Sequence, residues 1–65
     1  MLTADRIRGR LVEIELGEVP EFGWVAVGVV KEGLSHERGM LFEAKAQDPA
    51  EAEIRLRAEI EAFFA

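Results

Sequence analysis

The chain has 65 residues, carries 8 Lys+Arg against 13 Asp+Glu for a net charge of −5, and contains no cysteine. That composition excludes a disulfide framework and a thiolate metal site, and the acidic balance argues against general binding to nucleic acid or an anionic membrane, both of which need a basic surface. At 49% hydrophobic the chain is too apolar to be disordered, yet a chain this short buries only roughly 60% of its unfolded surface, so a second subunit is the expected support.

The start, MLTADRIRGR, has no apolar h-region, and the longest apolar run, Trp24 to Val30, is far too short to span a bilayer. The expectation is a soluble, cytoplasmic protein. There is no asparagine, a single glutamine (Gln47) and much Glu and Arg. That bias suits a thermophile, and equally a GC-rich genome.

In chain order, Thr3 and Asp5 read as an arm or short turn. From Ile7 to Leu16, Val12, Ile14 and Leu16 alternate with Glu13 and Glu15, as in a half-buried strand. Gly9 reads as a bulge or an edge within it, and Glu13 and Glu15 as the solvated face of an edge strand. Gly17 to Glu21 is a turn punctuated by Gly and Pro. A second strand, 22–31, is apolar on both parities: Phe22, Trp24, Ala26, Gly28 and Val30 on one, Val25, Val27 and Val29 on the other. Strands buried on both faces read this way. One helix can cover only one face of a small sheet, so something else must cover the second. Glu32 to Gly39 is a polar loop, and 39–46 is a third strand with Leu41, Glu43 and Lys45 on one face.

From Ala50 to Ala62 apolar and charged residues alternate strictly, which taken alone describes a strand. Three features overrule it. Asp48-Pro49-Ala50-Glu51 places a capping residue, a first-turn proline and an acid in capping-box order. The residues are strong helix formers. Glu51–Arg55, Glu53–Arg57, Arg55–Glu59 and Arg57–Glu61 are opposite charges at i,i+4. The helix is predicted over about 49–64, with Ala52, Leu56, Ile60, Phe63 and Phe64 facing the sheet and a shallower stripe of Ala50, Ile54, Ala58 and Ala62. The predicted fold class is α+β: a three-stranded antiparallel meander with one C-terminal helix on one face, all within a single domain of residues 1–65.

Little in the chain points to catalysis. His36, the only histidine, sits beside Ser35 between Glu32 and Glu37. Adjacent Ser and His are poorly placed for nucleophile activation, which needs facing side chains and a third orienting group. No glycine-rich phosphate loop is present. No catalytic residue, cofactor or metal site is predicted. Arg6, Arg8 and Arg10 form the one basic cluster, a candidate for phosphate or carboxylate contacts. The most informative group is Phe22, Trp24, Val25, Val27 and Val29; with Leu41 and Ile54 it is the predicted interface.

Gly23-Trp24-Val25-Ala26, and Ala44 to Ala52 entering the helix with Leu56, Ile60 and Phe63/Phe64 behind it, resemble the HicB-like antitoxin family over roughly the last two-thirds of the chain. That family's proline- and glycine-containing segment between strands is replaced here by EGLSHERG, and neither a final strand nor a DNA-binding extension follows the helix. The resemblance implies an oligomeric regulatory protein that binds a toxin, without DNA binding of its own or catalytic residues. The strand–helix order is also similar to half of a double-stranded RNA-binding domain, but the helix start Asp48 to Glu53 is acidic where that family carries lysines. The expected function is a non-catalytic, self-associating interaction module, a dimer or higher homo-oligomer. The alternatives are a nucleic-acid accessory protein using the arginine arm and a small-ligand site between subunits using His36 and nearby acids.

Overall fold

The computed structural model describes residues 2–65. Four strands, β1 (Leu2–Ile7), β2 (Arg10–Val19), β3 (Gly23–Glu32) and β4 (Leu41–Ala46), precede one helix, α1 (Pro49–Phe63). The strands form a single antiparallel sheet in the order β1-β2-β3-β4. The fold is α+β, but the sheet has four strands, not three.

The additional strand is the segment read from sequence as an arm. β1 pairs with β2 from Leu2 opposite Glu15 to Ile7 opposite Arg10. Arg8 and Gly9 join them with φ of 50° and 82°, the two-residue turn whose twist matches a hairpin. Gly9 therefore closes a hairpin and does not mark a bulge, and the strand expected over 7–16 is divided in two. β2 becomes an interior strand, so Glu13 and Glu15 do not lie on an edge. The reason β1 escaped notice is physical: Leu2 to Arg6 are all exposed, and an edge strand that buries almost nothing has no apolar alternation to display.

The remaining connections are local. In Val19-Pro20-Glu21-Phe22 the Phe22 N–H donates to the Val19 carbonyl at 3.1 Å, closing a β-turn. The loop before β4 ends in a bulge: the Gly39 N–H donates to the Val30 carbonyl (2.8 Å), while the Val30 N–H donates to the Met40 carbonyl (3.0 Å). Two residues thus oppose one, with Gly39 at φ 88° in the left-handed region. A second irregularity separates Leu11, opposite Glu32, from Val12, opposite Val30.

One face of the sheet carries the core. Ile7, Val12, Ile14, Ala26, Val30, Ala44 and Ala46 are buried there against Ala52, Leu56 and Ile60 of α1. Gly28 lies at the centre of that contact. A Cβ there would stand 3.1 Å from Ile60 Cδ1 and 3.3 Å from Val12 Cγ1, so its missing side chain is what lets the helix sit this low on the sheet.

The helix begins as the sequence predicts. The Asp48 side chain accepts from the Glu51 N–H at 2.8 Å, and Pro49 opens the first turn. The i,i+4 pairs are partly redistributed. Arg55–Glu51 (3.2 Å) and Arg57–Glu53 (3.0 Å) form. Arg57 also reaches Asp5 of β1 (2.8 Å), and Glu61 faces Arg8 at 3.5 Å. Arg57 thus ties α1 to the first hairpin while keeping its pair within the helix, and Glu61 meets the hairpin instead of Arg57. The Arg57 guanidinium, aided by the Arg6 N–H, holds the Asp5 carboxyl below its ordinary range.

Candidate functional site

The face of the sheet opposite α1 has no element over it. Val25, Val27 and Val29 of β3 run down its centre, flanked by Glu13 and Glu15 of β2 and by Leu41, Glu43 and Lys45 of β4. The register makes rows of Glu15, Val27 and Glu43, and of Glu13, Val29 and Leu41. The valines are half-buried although nothing packs above them. Lys31 and Glu13 meet at 3.8 Å on this face. Leu41, at the sheet edge, is 69% exposed.

The seven residues of the predicted interface therefore do not form one surface. Val25, Val27, Val29 and Leu41 share the open face. Trp24 has the opposite parity and packs on the core. Phe22 is exposed in the β2–β3 turn. Ile54, 62% exposed, is on the outer side of α1, away from the sheet. The two-faced apolar pattern of β3 was legible in sequence, but the side taken by each outlying residue depends on turn positions and helix rotation.

The arginine cluster is engaged by the protein's own carboxylates. Arg6 binds Glu32 at 2.9 Å and the Gly9 carbonyl at 3.3 Å, and Arg8 faces Glu61. Arg10 makes a bidentate pair with Glu37, Nη2 to Oε2 at 2.6 Å and Nε to Oε1 at 3.0 Å. It also donates to the Arg8 carbonyl at 2.7 Å and lies 4.1 Å over the Phe64 ring. Glu37, 4% exposed, is the buried charged residue among those described. It accepts the Leu34 N–H at 3.0 Å as well. The Arg10 guanidinium, with that N–H, lowers its pKa from 4.5 to about 2 against the opposing effect of burial. The sequence reading missed Glu37 because its partner lies 27 residues away and no local pattern marks it. A shallow depression of about 340 Å³, lined by Arg8, Gly9, Arg10, Gly33, Leu34 and Glu37, opens above the pair. Both charged groups beneath it are already engaged, with each other and with backbone groups, which leaves it little to offer a ligand. His36 stands exposed in the adjoining loop.

Among the described residues no group of three His, Asp or Glu could hold a metal ion, and no helix is long and apolar enough to cross a membrane.

No protein-family model matches the chain, and no curated protein or solved structure matches it either.

Proposed function

We propose that this protein is a non-catalytic interaction module that associates with a second copy of itself. What supports the reading is the free edge of the sheet at β4, with the exposed Leu41 on it and the Val25–Val27–Val29 row beside it. A chain of this size has little stability to spare for surface that serves nothing. The segments that resemble HicB-like antitoxins fall on β3 and on the passage from β4 into α1. A regulatory protein that binds a toxin is the use we propose for the assembled module.

Sedimentation equilibrium tests the reading. A dimer or higher oligomer is expected between micromolar and hundreds of micromolar protein. A monomer throughout that range overturns it.

A further inference from the structure

Resting on that self-association, we infer where the second copy docks: along the free edge of β4, in antiparallel register about a two-fold axis through Ala44. The bulge fixes which groups the edge presents. Val30 gives both its backbone hydrogen bonds to Gly39 and Met40. By the alternation of an antiparallel ladder, Gly28–Phe42, Ala26–Ala44 and Trp24–Ala46 are then the bonded pairs. Leu41, Glu43 and Lys45 accordingly turn their N–H and C=O groups outward. The Lys45 carbonyl bears this out, since it accepts from Arg55 Nη1 at 3.1 Å. A carbonyl has two lone pairs, so this contact leaves room for a strand.

Charge selects the register. With the axis at Ala44, Glu43 stands opposite the second copy's Lys45, and Lys45 opposite its Glu43, each in a bonded pair that exchanges N–H and C=O. Shifting the axis to Glu43 or to Lys45 sets like charges opposite one another, which is unfavourable. Two other modes fare worse. Stacking the open faces brings the carboxylates of Glu13, Glu15 and Glu43 towards their own copies. Pairing β1 with itself offers Leu2, Ala4 and Arg6, a set with no complementary charge.

The helix fits the same mode. α1 packs on β3 and β4 nearly equally, so its axis runs above the gap between them. With strands about 4.8 Å apart, two helices related by this axis lie about 10 Å apart, at the upper end of ordinary helix packing. The flank of α1 on that side carries Arg55, placed there by its bond to Lys45. Phe63, 58% exposed and edge-on to Phe42 of β4 at 5.4 Å, adds apolar surface at the same border.

The test is a charge-reversal cycle read by sedimentation equilibrium, with far-UV circular dichroism to confirm that each variant is folded. Lys45→Glu and Glu43→Lys each create two like-charge contacts per dimer, and each is expected to raise the dissociation constant by about tenfold. The double variant Glu43→Lys/Lys45→Glu restores complementarity and is expected to return it to within about threefold of the parent. A parent dimer unmoved by both single variants, or a double variant weaker than either single one, overturns the β4 mode while leaving self-association standing. A monomeric parent removes both.

Discussion

At the scale of the residue, the Arg10–Glu37 pair is where the structure departs furthest from a solvated surface. Glu37 is held by two guanidinium bonds and one backbone N–H, so its charged form is the one the fold selects. Its pKa is about 2 when folded and near 4.5 otherwise. The unfolded chain therefore binds the proton first. The stability Glu37 contributes is complete above about pH 4.5 and is lost as pH falls towards 2. Asp5, also shifted down by Arg57, loses its share as pH falls below its ordinary value. Glu37→Gln keeps the size but cannot form the charge-assisted bidentate pair, and it leaves the Arg10 guanidinium over Phe64 without its carboxylate. The variant is expected to melt at lower temperature at pH 7 and to lose less stability than the parent between pH 4.5 and 2, as read by urea unfolding at stepped pH. Parallel acid profiles for the two proteins would show that Glu37 does not carry this dependence.

At the scale of the element, local chemistry was the part legible in the amino-acid order. Asp48, Pro49 and Glu51 mark the helix start within the sequence itself, and the structure realises the cap bond. Replacing Asp48 with Ala leaves the Glu51 N–H to water. The expected cost is about 1 kcal/mol in chemical denaturation, and no measurable cost would mean that the cap bond does not persist in solution. The alternation in β3 and β4 was legible for the same reason, since burial imposes period two on residues that pay for the sheet. What stayed hidden has no such local imprint. β1 contributes one buried residue, Ile7, and five exposed ones, so its place is set by the Arg8-Gly9 turn and by the ladder to β2, not by hydrophobic pattern. Arg57 chose Asp5 over Glu61 because the first hairpin lies beside the helix, a proximity that helical spacing cannot reveal. The open-face group was half legible: Val25, Val27 and Val29 share a parity that the sequence displays, whereas Trp24, Phe22 and Ile54 were separated from them only by the fold.

At the scale of the whole molecule, size and assembly become one question. A 65-residue chain at about 0.05–0.15 kcal/mol per residue has only about 3–10 kcal/mol of stability, and the fully buried large side chains number few: Ile14, Leu56, Ile60, Val12 and Val30. Association adds to that reserve by mass action, because a second copy binds the folded chain and not the unfolded one. If folding and pairing are linked, the melting temperature must depend on concentration. For a dimer that dissociates as it unfolds, each tenfold rise in concentration adds about 1.4 kcal/mol per dimer, half of it per chain, which for a domain this small moves the melting temperature by about 3–6 °C. Calorimetry over a hundredfold concentration range is expected to show this rise in the parent, and a shallower one in Lys45→Glu, whose pairing is weakened at the β4 edge. A melting temperature constant over the whole range places all the stability in the single chain. The free β4 edge and its exposed Leu41 would then be borne by the single chain.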